Sequence, residues 1–266
     1  MGQAAREDVG AAPADVTVRC VSALPLELGG EQLTWENTCR LLVRDGREIW
    51  VEPFAGSTLA DVTLAVSGSG FALLLTQRSL LVLHGSCVAR GGAAICLVGP
   101  SGAGKSTLAA ALQARGYDLV SDAMTALDES GAAWQALGGW SSMKLWPASV
   151  AYLGWQPKIV APVHAESEKV VCSAAARSDR IQVRGVVSIV PGAPVALTKP
   201  GQADSVIEAL KNHYLAEHGL GPRSADALAA CGRLLRVAPL HRLARGATLA
   251  DLDTAVRCID EWLHSA

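Results

Sequence analysis

Residues Gly99–Leu108 read GPSGAGKSTL, and the fold is decided here. The pattern is G-x-x-x-x-G-K-[ST], with Gly99, Gly104, Lys105 and Ser106 at the fixed positions and Pro100, Ser101, Gly102 and Ala103 between them. Glycines let such a loop turn its backbone N–H groups inward at phosphate oxygens, and the positive end of a following helix reinforces them. Lys105 can reach β- and γ-phosphates, and the Ser106 hydroxyl can ligate a magnesium ion bridging them. The flanking text fits this reading. A β run, Ala93–Val98, leads in, and KSTLAAALQARG leads out as a helix closed by Gly116. Gly99–Thr107 is therefore expected to bind a nucleoside triphosphate, with ATP and Mg2+ as cofactors, inside an α/β fold.

A loop of this kind needs a carboxylate near its metal. The nearest acid at a strand end is Asp122, in YDLVSDAMTALD directly after the loop's helix. A strand returning from that helix would bring Asp122 close to Ser106, to order the metal or accept a hydroxyl proton. The same residue could equally be a strand-end acid bonded to its own turn. His84, in LHGS on the preceding β run, could face the phosphates or be a satisfied structural imidazole. Lys144 and Lys169 lie beyond the acid and are weaker candidates for steadying a phosphate or a carboxylate, against the alternative of solvated surface lysines.

The chain has 266 residues, 50% of them hydrophobic and 18% charged, a globular composition long enough to bury a full core. A net charge of −2 supplies no broad field for nucleic acid or an anionic membrane, and neither is expected as a partner. The seven cysteines are scattered, with no CxxC pair and no zinc-ligand spacing, as in a reduced cytoplasmic protein. The opening MGQAAREDVGAAPADV lacks the apolar core of a secretory signal. The longest apolar stretch, Phe71–Leu83, is interrupted by Gln77 and Arg78 and is too short to span a bilayer. A soluble, cytoplasmic protein is expected.

The patterning divides the chain into three parts: a flexible leader over 1–15, a small β-rich subdomain over 16–70, and the nucleotide-binding domain over 71–266. The β-rich part holds strand-like VTVRCV, CRLLVRD, EIWVEPF and DVTLAV, and Asp45-Gly46 is a hairpin signal, so an antiparallel layer is expected. GFALLLTQR reads as a short buried helix. The Trp- and Pro-rich middle, about 130–183, reads as irregular with short strands, and Trp134, Trp140, Trp146 and Trp155 could line a peptide groove or simply pack. The C-terminal third reads as helices, one placing Val206, Leu210 and Tyr214 on a face and a last one started by Thr248 and Asp251, with a strand near Val237–Leu243 between them.

Taken together, LHGSCVA, GPSGAGKSTL and RGYDLVSDAMTALD resemble the HPr kinase/phosphorylase superfamily, which shares its core with phosphoenolpyruvate carboxykinases. His84-Gly85, Arg115-Gly116, Leu119-Val120 and Asp122 fall in register with that family's pattern. GFALLLTQRSLLVLHGS and MKLWPASVAYLG are similar to the small HPr-kinase-like proteins found among peptide-tailoring genes, some of which phosphorylate the C-terminal serine of lasso-peptide precursors. The resemblance implies a mixed-sheet core with a small N-terminal β layer and C-terminal helices. It also implies Asp122 beside the acceptor hydroxyl, Lys105 as phosphate clamp, Ser106 with Asp122 at the metal, and His84 at the phosphate end. Two departures stand out. The EIRG-x-G signature of true HPr kinases is absent, and the family's second consecutive acid is replaced by Ala123.

The function expected is an ATP- and Mg2+-dependent kinase acting on a serine hydroxyl of a peptide or small protein, the C-terminal residue of a lasso-peptide precursor being one case. An HPr-type protein kinase, a small-molecule phosphotransferase and a non-catalytic nucleotide-binding module stay open as alternatives. Self-association into a homo-oligomer is left open as well.

Overall fold

Turn chemistry organises the N-terminal unit. Asp45 and Gly46 both take left-handed φ, 55° and 59°, and the Arg47 N–H closes on the Arg44 carbonyl at 3.0 Å. That is the turn whose twist matches an antiparallel pair. The computed structural model describes residues 15–130, 133–163, 167–216, 223–246 and 248–265; most of the expected leader, 1–14, lies outside them. β1 (Thr17–Cys20), β2 (Glu31–Trp35), β3 (Cys39–Arg44) and β4 (Glu48–Pro53) form a sheet ordered β1-β4-β3-β2. β2, β3 and β4 are antiparallel as expected, but β1 lies parallel to β4. The connection through Leu26–Leu28 carries the chain from β1 across to the opposite edge of the sheet.

DVTLAV was expected as a strand and is helical, in α1 (Leu59–Ala65). Thr58 Oγ1 accepts the Asp61 N–H at 3.2 Å, and the Asp61 carboxylate accepts from Thr58 in return. This capping box starts a helix that the β-branched Val62 and Thr63 disfavour only mildly. The helix runs on through a wider π-type turn, Val66–Gly70, into α2 (Phe71–Gln77). Gly70 lets it approach the sheet, where a Cβ would meet Leu41 at 3.3 Å. Leu59–Gln77 is thus a single helical stretch long and apolar enough, by length and composition alone, to cross a membrane. Reading the apolar run from Phe71 missed its first two turns. The chain divides into two units after Arg78, so the helix expected to open the larger domain belongs to the smaller one.

The second unit is mixed α/β. Its strands, in chain order, are β5 (Leu81–Leu83), β6 (Gly85–Arg90), β7 (Ala93–Val98), β8 (Asp118–Ser121), β9 (Thr125–Ser130), β10 (Ala133–Ala136), β11 (Ser142–Leu145), β12 (Ile159–Pro162), β13 (Val170–Ser173), β14 (Ile181–Val190), β15 (Ala196–Thr198) and β16 (Leu240–Ala244). The large sheet follows β5-β9-β10-β14-β7-β6-β8, with β16 on the C-terminal half of β14 and β15 beyond it. β14 is parallel to both β7 and β16; the other pairs are antiparallel. β5 and β6, consecutive in the chain and separated only by His84, lie at different places in the sheet, and so do β8 and β9, separated by Asp122–Met124. The sheet therefore curls, and both changes of direction fall at one corner, where Thr125 Oγ1 donates to the Gly85 carbonyl at 3.1 Å.

Both faces of the sheet are covered. Val88, Ile95, Leu97, Leu119, Val187 and Ile189 pack against α3 (Lys105–Gln113) and α7 (Leu252–Ser265). Cys87, Ala94, Cys96, Val98 and Val186 pack towards α5 (Gln202–Lys211) and α6 (Ser224–Val237). The stretch expected to be irregular includes an antiparallel sheet ordered β11-β13-β12 and the short α4 (Pro147–Leu153). Alternation in SMKL explains it: Met143 and Leu145, each 1% exposed, join the core beneath α3, while Ser142 and Lys144 face away. α5 stops at Lys211, short of Tyr214, because the chain turns at Asn212 to pair with β5: the Tyr214 N–H donates to the Val82 carbonyl at 2.8 Å. The box of Thr248 and Asp251 forms as expected, capping a 3-10 turn, Leu249–Asp251, that runs straight into α7.

Candidate functional site

The site begins at the end of β7, a strand buried from Ala94 to Val98. Here the chain leaves the sheet through a turn open only to glycine. Gly99 has φ +140°, and a Cβ on it would sit 2.6 Å from the Ile189 carbonyl oxygen on β14. Gly102 and Gly104 come next at φ +79° and +93°. The loop closes on itself, the Ala103 N–H donating to the Pro100 carbonyl at 3.1 Å, before α3 starts at Lys105. The first N–H groups of a helix have no partner within it, so the loop and α3 together offer inward donors to an anion.

Lys105 is only 8% exposed, and its Nζ donates to the carbonyls of Gly99 at 2.8 Å and Pro100 at 3.1 Å. The ammonium is held over the loop by contacts that a phosphate oxygen could replace. Thr107 turns its hydroxyl the other way, to Ser149 Oγ at 2.9 Å.

Asp122 is brought to the loop by the curl of the sheet. Its Oδ1 accepts the Ser106 hydroxyl at 2.8 Å and the Ser86 hydroxyl at 2.7 Å, and its Oδ2 accepts the Lys144 backbone N–H at 3.1 Å. Four elements thus fix one carboxylate: β6 through Ser86, β8 through the chain, α3 through Ser106 and β11 through Lys144. Ser106 and Asp122 together make a pair of hard oxygen ligands of the kind magnesium takes. Among the described residues no group of three or more His, Cys, Asp or Glu could hold a metal.

A cavity of about 450 Å³ opens over these groups. His84, Ala123, Lys144 and Lys169 line it with the loop. The His84 ring stacks on Tyr214 with centroids 5.3 Å apart, and its backbone N–H donates to the Asn212 carbonyl at 2.7 Å. Burial pushes the Lys144 ammonium below the usual lysine range; the Asp122 charge works against that shift and Lys169 adds to it. Lys169 lies with Nζ 5.1 Å from the centre of the Trp146 ring. The sequence-predicted residues are therefore gathered in one place, His84, Lys105, Ser106, Asp122, Lys144 and Lys169 alike.

The four tryptophans are not gathered. Trp134 and Trp155 are 4% and 5% exposed and belong to the core, while Trp140 and Trp146 are exposed. Of the two readings, packing holds for Trp134 and Trp155, and a groove is left with Trp140 and Trp146 alone.

Two residues that touch the loop itself were not foreseen. Asn212 accepts the Gly99 N–H on its Oδ1 at 2.8 Å. Arg245, just past β16, lies against the loop, its Nη1 3.0 Å from where a Gly104 Cβ would be. Their only signal in the sequence was position: each comes directly after an element that ends beside the loop.

No protein-family model matches the chain, and no curated protein matches it. Among solved structures, the HPr(Ser) kinase/phosphatase from Coxiella burnetii is similar at 16% identity, over 41% of this chain and 59% of that one, with a TM-score of 0.28. Likeness at that level carries no argument about activity, and the chain matches less than two thirds of that protein's length.

Proposed function

We propose that the chain is an ATP- and Mg2+-dependent phosphotransferase, with the loop Gly99–Ser106 as its phosphate cradle. One observation carries the reading: Asp122 Oδ1 lies 2.8 Å from Ser106 Oγ at the mouth of a glycine-rich loop. A structural acid bonded only to its own turn would not be tied to the helix after the loop.

Each group has a distinct task. Loop amides and the N-terminus of α3 take the β- and γ-phosphate oxygens, and Lys105 moves from the Gly99 and Pro100 carbonyls onto them. Ser106 and Asp122 would hold the magnesium ion, which neutralises phosphate charge when bound. Asp122 Oδ2, with one lone pair engaged by the Lys144 N–H, keeps another for the acceptor hydroxyl. As the acceptor oxygen bonds to the γ-phosphorus and the bond to the nucleoside diphosphate breaks, the hydroxyl proton passes to Asp122 and then to water. Lys144, bonded through its N–H to Asp122, would steady the transferred group, and Lys169 in the same cavity would add a second positive charge for the phosphates. Catalysis of this type is positioning plus electrostatics.

For the acceptor we assign a serine hydroxyl on a peptide, with a precursor ending in serine, as lasso-peptide precursors do in the resembling proteins, as the first case to try. The exposed Trp140, two residues before β11, supports a peptide through the anchoring that indoles favour. The test is transfer of labelled phosphate from ATP to serine-ending peptides. Transfer that requires both peptide and Mg2+, and disappears in Asp122→Asn, is expected; no transfer to any serine peptide would remove the peptide assignment.

Ala123 favours a second reading, a nucleotide-binding module without turnover, because it lines the cavity where an acid would supply a second metal contact. ATP binding with no consumption, in the wild type and in Ala123→Asp, would select it.

A further inference from the structure

The cavity over the glycine-rich loop is lined by two unlike groups of side chains. Ser106, Asp122 and Lys144 are joined by hydrogen bonds. Trp146, Ala148 and Leu249 line the same cavity, together with Ser149, Lys169 and Arg245. We propose that Trp146, Ala148 and Leu249 form a nucleobase slot, with the base stacked on the Trp146 indole. The proposal rests on the phosphate-cradle reading and adds to it the site for the rest of the nucleotide.

Strand geometry sets the direction. Met143 and Leu145 point into the core, so Lys144 and Trp146 share the opposite face, about 7 Å apart along an extended chain. Lys144 marks the Asp122 end through its backbone bond, so Trp146 lies further from the acid along the same wall. Beyond Trp146 the chain turns into α4, and the bond from Ser149 to Thr107 lays that turn on the first turn of α3. A triphosphate with its terminal group at Asp122 and Ser106 runs back across the N-terminus of α3. The sugar and base beyond the phosphates then meet Trp146, Ala148 and Leu249.

Exposure within the cavity lining singles out this indole, since the more exposed Trp140 is not part of that lining. Trp134 and Trp155 are nearly fully buried, whereas Trp146 is 45% exposed and borders the cavity. Lys169 Nζ lies over the ring, 5.1 Å from its centre, so a base stacking on that face would move the ammonium aside, towards the phosphates. The side chains of Ala148 and Leu249 carry no hydrogen-bonding group to read a base edge. Stacking then supplies the affinity and favours the larger purines over pyrimidines.

The test is titration of the full chain with the Mg2+ complexes of ATP, GTP, CTP and inorganic tripolyphosphate. ATP and GTP are expected to bind about tenfold or more tightly than tripolyphosphate, with CTP between. Trp146→Ala is expected to erase most of that advantage while leaving tripolyphosphate binding and the melting temperature unchanged, and Trp146→Phe to restore it. An ATP advantage that survives in Trp146→Ala overturns the slot and leaves the cradle standing. Equal losses for ATP and tripolyphosphate, or a wild type that binds the two alike, do the same. A wild type that binds neither overturns cradle and slot together.

Discussion

Asn212 and Gly99 are joined by a 2.8 Å hydrogen bond from the loop's first N–H to the asparagine Oδ1. The same asparagine accepts the His84 N–H on its backbone carbonyl and anchors its own Nδ2 to the Glu208 carbonyl at 2.8 Å. One residue at the end of α5 therefore pins both the start of the glycine-rich loop and the strand break that carries His84. Gly99 cannot pin itself, since its left-handed φ removes it from the ladder of the sheet and leaves its N–H to be satisfied by a side chain.

Replacing Asn212 by Ala should accordingly loosen the loop. An unsatisfied N–H at this depth costs about 1–3 kcal/mol. Urea denaturation of Asn212→Ala should show a stability loss in that range, and nucleotide titration a several-fold weaker affinity. Asn212→Asp keeps the acceptor for the Gly99 N–H but loses the Nδ2 bond to the Glu208 carbonyl and sets a negative charge beside the phosphates, so affinity should fall further than in Asn212→Ala for a similar loss of stability. Equal nucleotide affinity in all three proteins would mean that the loop is shaped without Asn212.

Asp122→Asn should separate binding from chemistry. The amide is nearly isosteric but carries no charge for a metal and is a poor base. Phosphoryl transfer should fall by at least ~100-fold, the usual contribution of a positioned acid or base. Metal-free nucleotide binding should be kept within a few-fold. Ser86→Ala removes one of the two hydroxyls donating to Oδ1, and its effect should be smaller, a few-fold on rate with little on KM. A rate loss in Ser86→Ala as large as that in Asp122→Asn would place Ser86 in the chemistry rather than behind it.

Acid should destabilise the protein through His213. Burial pushes this imidazole from 6.5 down to about 4, and its Nδ1 accepts the Leu215 N–H at 3.2 Å, which suits the neutral ring. Above pH 6.5 the ring is neutral in both folded and unfolded chains. As pH falls from 6.5 towards 4 the unfolded chain takes up a proton that the folded one refuses, and stability drops, by up to about 3 kcal/mol over that window. His213→Gln keeps an acceptor without the titration. Its stability should fall less than that of the wild type between pH 7 and pH 4.5 in paired urea denaturations, and parallel losses would clear His213 of the role.

Much of the site could be read in the sequence because its chemistry is local. The glycines, Lys105 and Ser106 are contiguous, and Asp122 comes one helix and one strand later, near enough in the chain to be named beside Ser106, though the curl of the sheet is what brings it there. Lys144 and Lys169 were nameable as cations after the acid. Asn212 and Arg245 were not, because they reach the loop from elements more than a hundred residues away, through a sheet order that local periodicity does not encode. The same limit explains the fold. Asp45-Gly46 and the Thr248–Asp251 box act within a few residues and were legible, whereas the parallel β1–β4 pairing and the sheet β11-β13-β12 are long-range. DVTLAV failed for a different reason: a capping box three residues wide outweighed an apolar alternation that looked like a strand.

Ala123 offers the sharpest check on the proposed chemistry. It sits directly after Asp122, lines the same cavity and takes φ +65°, where an alanine is strained by about 1–2 kcal/mol. Glycine relieves that strain, and aspartate tolerates the left-handed region better than alanine does. Ala123→Gly should therefore raise the unfolding free energy by about 1 kcal/mol without altering transfer. Ala123→Asp should be at least as stable as the wild type at low ionic strength with Mg2+ present, and should bind Mg2+ with nucleotide more tightly, because the added carboxylate lies beside Asp122. If Asp122 is the acceptor of the hydroxyl proton, the second acid should lower the Mg2+ concentration at half-maximal rate and leave the saturated rate within a few-fold. If the rate instead rises by orders of magnitude at saturating Mg2+, proton acceptance belongs to position 123, and the native chain, with a methyl group there, is a binding protein.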